Sequence, residues 1–178
     1  MDNKGLYPEI INNFHLYKGA ENGGDMMLGI SGQVELPDLE AITETLSGSG
    51  ILGEVEVTNP GHYSALDVTI PYVAVCEGMF SNNPTKRVML TLRACEQSTV
   101  KATGDAKYES FKCVFGGKVK GYKLGKLENG KQMESSVTLS CSYIKIMIAD
   151  KTVLELDKYN EVFIVNGQDM LAEIKSKC

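Results

Sequence analysis

A mainly β fold, with two packed antiparallel sheets in a barrel or sandwich and one short α-helix, is what this sequence predicts. Three observations carry that expectation. Apolar and polar residues alternate with period two in one stretch after another, the pattern of strands with one buried face. Glycine occurs 18 times and gathers with Asn, Asp and Ser between those stretches, where turns belong. Apolar residues at helical spacing never extend beyond about ten positions. The chain has 178 residues, enough to bury a core, and residues 1–178 are read as a single domain.

The longest alternation lies in Ser136–Ile148. Val137, Leu139, Cys141 and Tyr143 oppose Ser136, Thr138, Ser140 and Ser142. At Ile144 the pattern switches: Ile144, Ile146 and Ile148 take the parity that was polar, and Lys145 interrupts the other. A strand written this way has different neighbours on its two halves. Laid straight it would span roughly 43 Å, against the ~17–20 Å of an ordinary strand. It must bend, or run beyond its own core to pair with another copy.

The rest follows in chain order. Residues 1–9 are polar and read as a loose arm. Ile10–Tyr17 is a strand, Lys18–Asp25 a Gly-rich turn, and Met26–Leu36 a returning strand with Gly29 and Gly32 marking a bulge. Residues 38–58 read as a long flexible loop around Ser47-Gly48-Ser49-Gly50, yet Leu39, Ile42, Leu46, Ile51 and Leu52 are spaced along it. Either the loop folds back on its own core, or it buries these side chains against a neighbouring subunit. Leu66–Ile70 is a strand stopped by Pro71. Tyr72, Val75, Cys76, Met79 and Phe80 form the stripe of a short helix that ends at Asn82-Asn83-Pro84. Val88–Cys95 and Lys107–Gly116 are strands, the second with Phe111, Cys113 and Phe115 on one face and Tyr108, Ser110 and Lys112 on the other. Residues 116–131 form a Gly/Lys-rich hairpin tip. It lacks the GxxxxGK[ST] spacing of a phosphate loop, so Lys118, Lys120 and Lys123 are either solvated or a docking patch for an acidic partner. A turn at Ala149–Thr152, strands at Val153–Leu156 and Glu161–Val165, the Asn166-Gly167 turn, and a helical stub carrying Met170, Leu171 and Ile174 complete the chain.

Little here points to reaction chemistry. A net charge of −5 argues against a protein that coats nucleic acid. Five cysteines without a CxxC pair fit reduced thiols rather than a disulfide framework. His15 and His62 lack the sequence partners of a zinc site. No catalytic, cofactor-binding or metal-binding residue is assigned. No apolar run is long enough for a membrane span, and the N-terminus lacks the apolar segment of a signal peptide, so no membrane insertion is expected.

Two stretches together carry a resemblance. One is Gly32–Leu39 (GQVELPDL), followed by Glu44–Gly53 (ETLSGSGILG). The other is Ser140–Leu171, with its aromatic strand, a step at Glu155, Leu156, Asp157 and Asn160, and the closing Val165-Asn166-Gly167-x-Asp169. Over roughly residues 10–174 the chain resembles the major tail tube proteins of contractile phage tails and of R-type phage-tail-like bacteriocins. That resemblance implies a structural protein and not an enzyme: six-fold rings stacked into a hollow tube inside a contractile sheath. It implies a conduit for DNA in a virion tail, or for ions in a bacteriocin particle, made in the bacterial cytoplasm. Its partners would be other copies of itself, the sheath protein, and the baseplate or initiator and terminator proteins, with DNA only as passing cargo. Residues 38–58 would supply the contacts between subunits and rings. Ser136, Thr138, Ser140 and Ser142, with the face of Tyr108, Ser110 and Lys112, are expected on the lumen wall or its rim. A secretion-system ring protein, a tail terminator and a ligand-binding β-barrel are the competing readings.

Overall fold

The computed structural model describes residues 5–19 and 24–178. The strands are β1 (Leu6–Lys18), β2 (Asp25–Met26), β3 (Ala41–Ser47), β4 (Glu54–Tyr63) and β5 (Leu66–Tyr72), then β6 (Val88–Val100), β7 (Ala106–Lys123), β8 (Ser135–Ile148), β9 (Lys151–Asp157), β10 (Val162–Val165) and β11 (Gln168–Asp169). Two one-turn helices, α1 (Glu77–Phe80) and α2 (Ala172–Lys175), join them, where the sequence predicts one helix and a stub. All pairings are antiparallel, and they form two sheets. The larger runs β11-β10-β9-β8-β7-β6-β1-β2, with β5 beside β8, and the smaller is β3-β4. The larger sheet does not close into a barrel among the described residues.

β8 resolves the two-halved pattern. Its first half pairs with β5, from Tyr72↔Ser135 to Leu66↔Cys141. Its second half pairs with β9, from Tyr143↔Asp157 to Ile148↔Lys151. Against β7 the register shifts at the junction, Gly117 facing Cys141 and Gly116 facing Tyr143, which leaves Ser142 as the extra residue of a bulge. One inserted residue reverses which parity faces inward and bends the strand. Val137, Leu139 and Cys141 are therefore buried before the bulge and Ile144 after it. Tyr143 turns outward instead of continuing the apolar face, and its hydroxyl donates to Glu155 at 3.0 Å.

One apolar cluster draws on both halves of the larger sheet. Leu66, Val68 and Ile70 come from β5, Leu139 and Ile144 from β8, Cys113 and Phe115 from β7, Leu90 and Leu92 from β6, and Leu16 from β1. Gly117 permits the close approach of β7 and β8, because a Cβ there would stand 2.3 Å from the Ser140 carbonyl oxygen. The turns are written in the sequence. Ala149 and Asp150 (φ 48° and 61°) and Asn166 and Gly167 (φ 49° and 81°) take the left-handed conformations of tight hairpin turns. Between β9 and β10, Asp157 accepts hydrogen bonds from the backbone N–H groups of Tyr159 (3.0 Å) and Asn160 (3.2 Å) and from the Asn160 side chain (2.8 Å), which accounts for the spacing of Asp157 and Asn160.

Several expectations are corrected. Residues 6–9 are not a loose arm but the start of β1, paired to β6 from Leu6↔Val100 onward; residues 1–4, and 20–23 of the Gly-rich turn, lie outside the described residues. Met26–Leu36 is not a strand: after Met26 only two isolated bridges form, Ile30↔Tyr72 and Glu35↔Thr69, because Gly29 (φ 80°) breaks the extended run. Pro71 does not end β5. It sits at an outward position while Tyr72 is buried as the last strand residue, so the helix starts only at Glu77. Residues 116–123 belong to β7, so the Gly/Lys-rich tip begins at Leu124. Residues 38–58 are not an irregular loop; most of them form the β3–β4 hairpin.

Candidate functional site

The β3–β4 hairpin is the least satisfied part of the molecule. Leu46 pairs with Val55 and Glu44 with Val57, so these residues and Ile42 share one face by strand alternation. Thr45 pairs with Glu56 and Ser47 with Glu54, which places Thr43, Thr45, Ser47, Glu54, Glu56 and Thr58 on the other. The first face is apolar except for Glu44, the second polar and acidic. Ile42, Leu46, Val55 and Val57 are 45–52% exposed, and at the tip Ile51 is exposed and Leu52 fully so. Leu39 differs from the other four residues expected in this contact: it is half-buried and packs on the core, anchoring the hairpin's base. Tyr63 anchors the other strand, its ring edge-on to Phe163 at 5.5 Å. A two-stranded hairpin with no third strand is marginal in water. This one carries a largely apolar face that no other element covers among the described residues.

The second incomplete element is β1. Its inner edge pairs with β6 along its length, but β2 covers the outer edge only at Tyr17 and Lys18. Among the described residues no strand pairs with that edge upstream. β1, β6 and β7 run past the core here, and Tyr7, Ile10, Ile11 and Tyr108 are exposed. A long open edge with apolar side chains is a template for another chain. The Ile10-Ile11 pair was the available signal in the sequence, as was the alternation of Glu54-Val55-Glu56-Val57 for the hairpin's return strand.

The serine and lysine sets meet on one surface. Lys118 faces Ser140, Gly121 faces Thr138 and Lys123 faces Ser136 across β7 and β8, all turned from the core. Ser136 is buried, Thr138 half-buried with its hydroxyl 3.3 Å from that of Thr69, Ser140 exposed, and Ser142 half-buried, donating to the Gly116 carbonyl at 3.4 Å. Lys120, displaced by a β7 bulge, pairs with Asp67. Lys118, Lys120 and Lys123 are strand residues and not tip residues, and they cannot serve a different wall of the molecule from the serines.

At one end of this surface, beside the hairpin's base, lies a cleft of about 360 Å³ lined by Arg87, Lys118, Lys158, Ser140, Ser142 and Tyr159. Arg87 lies 5.4 Å from the centre of the Tyr143 ring and 3.6 Å from Asp157. Burial acts to raise the Asp157 carboxyl, but the hydrogen bonds from Asn160 and Tyr159 and the charge of Arg87 bring it below the usual range. Lys158 donates to the carbonyls of Tyr63 (3.0 Å) and Ser64 (2.6 Å), and burial lowers its pKa.

Burial pushes the thiols of Cys113 and Cys141 up to about 12, so they pack as neutral groups at ordinary pH. Among the described residues no three His, Cys, Asp or Glu side chains converge as metal ligands. No helix of the described residues is long and apolar enough to cross a membrane.

Among known families, the one described as phage tail tube protein FII matches over residues 8–177. No curated protein matches the chain.

Proposed function

This chain belongs to the phage tail tube protein FII family, a structural family of phage tails, and from that premise we propose that it assembles as six-fold rings stacked into the hollow tube of a contractile tail. The observation that carries the proposal is the uncovered β3–β4 hairpin. Ile42, Leu46, Val55 and Val57 stay about half exposed with no covering element among the described residues, and in this reading a second copy covers them. The open edge of β1 adds a second contact of the kind a ring supplies: head-to-tail pairing closes by rotation, whereas stacking of rings is an open translation. Ile42, Leu46, Ile51 and Leu52 are the inter-subunit residues, joined by Val55 and Val57, with Leu39 as the hinge to the core. The six-fold symmetry and the sheath rest on the resemblance noted in the sequence.

In this reading the tube conducts DNA in a virion tail, and ions if the particle is a bacteriocin. Sheath, baseplate or initiator, and terminator proteins are its further partners. The lysine-bearing surface of β7 and β8, with Ser136, Thr138, Ser140 and Ser142, belongs to the rim where copies meet. Lysines on a DNA-facing wall would hold the phosphate backbone instead of letting it slide.

Electron microscopy of the purified chain tests the proposal. Hollow filaments of constant diameter, seen alone or grown from a baseplate template, are the expected result. Uniform small particles at every concentration, with or without a template, would contradict it.

A further inference from the structure

Resting on that tube reading, we propose that the cleft lined by Arg87, Lys118 and Lys158 receives the acidic face of the hairpin from a second copy, with Glu54 and Glu56 as the entering carboxylates. Three cations line a small cleft on a chain whose net charge is −5. Of the acidic side chains near them, Asp157 already accepts three hydrogen bonds within its own turn, and Asp67, opposite Ser140 on β5, is paired with Lys120. The cleft is therefore net positive, and its outermost cation, Lys118, is exposed.

The complementary surface lies on the same molecule but out of reach. Glu54 and Glu56 share the hairpin face that carries Thr43, Thr45 and Ser47. Glu54 pairs with Ser47 and Glu56 with Thr45, six and four residues along β3 from Ala41, so roughly 20 Å and roughly 13 Å separate them from the hairpin's base. The cleft sits at that base, beside Ala65 and Lys158. Donor and acceptor at opposite ends of one hairpin cannot satisfy each other within a subunit. They can between subunits, and each docking leaves a new donor and a new acceptor free, a head-to-tail contact that closes into a ring where the rotation closes and runs on as a filament where it does not. The apolar hairpin face then supplies the buried area, and the acidic face supplies register and direction.

Charge reversal on the full chain tests this. Lys118→Glu places a carboxylate at the mouth of the cleft, and Glu54→Lys with Glu56→Lys reverses the hairpin face. All three positions are exposed, and circular dichroism checks that each variant is folded. Either reversal raises the critical concentration for assembly about tenfold or more, the order expected when like charges are brought together at an interface. Combining Lys118→Glu with Glu54→Lys and Glu56→Lys recovers most of the loss. Assembly of Lys118→Glu at the wild-type concentration, or a combined variant no better than its parents, would overturn the docking while leaving the tube intact. Failure of the wild type to assemble at all would overturn the tube reading first.

Discussion

Replacing Leu46 with Asp and Val55 with Lys abolishes assembly and leaves a folded, dispersed subunit. The two residues face each other across the hairpin and are each about half exposed. In the isolated subunit both new charges remain in water, and an opposite-charge pair across two strands supports the hairpin. Their effect on subunit stability is accordingly small, within about 0.5 kcal/mol. In an assembly the same charges would have to leave water, at several kcal/mol per ion before any compensation. A net loss of about 3 kcal/mol per contact would raise the critical concentration roughly 100-fold. Sedimentation velocity and a thermal melt, read together, decide the matter. A variant that loses its own stability would show that the apolar face packs within the subunit.

Gly117→Ala is expected to have the largest effect on the fold itself. A Cβ at this position would lie 2.3 Å from the Ser140 carbonyl oxygen, 2.8 Å from its carbon and 2.9 Å from the Cys141 Cα. All three are backbone atoms of β8 at the bulge, so no side chain can rotate away. Forcing the strands apart there costs about 3 kcal/mol, which lowers Tm by roughly 10 °C in a domain of this size. Gly121, four residues further along β7, is the control, because a Cβ there meets nothing within 4 Å. A Gly117→Ala melt indistinguishable from that of Gly121→Ala would show that the close approach does not hold the bend.

Much of the large sheet was legible because it is encoded locally. The parity switch at Ile144 announced a change of neighbours, which the structure resolves as the bulge at Ser142, and Asn166-Gly167 announced a turn in which both residues take positive φ. Strand ends were less legible. β6 continues past Cys95 and β7 past Gly116, because their continuations are ladder positions flanked by other strands, and no turn residue marks where the core stops. Pro71 misled for a related reason: an outward strand position tolerates it. The serine and lysine sets read as separate features, since only the register of β7 on β8 brings Lys118 beside Ser140. For the hairpin, the apolar residues were recognised on β3 and at the tip. The Ser-Gly repeat disguises the pair of strands as a loop, and only the pairing of Glu54 with Ser47 and Glu56 with Thr45 gathers the acidic residues on one face.

Hydrogen–deuterium exchange compared between dispersed subunits and assembled tubes probes the incomplete elements directly. The outward-pointing amides of β1 upstream of Tyr17, which are not bonded to β6, and those of the β3–β4 hairpin should exchange rapidly in the dispersed subunit, as expected of an open edge and an unsupported hairpin. In tubes the same amides should slow by about 100-fold or more, while the buried strands β5 and β8 change little. Equal protection of β1 and the hairpin in both states would mean that a single copy already covers them, and that neighbouring copies do not complete the fold.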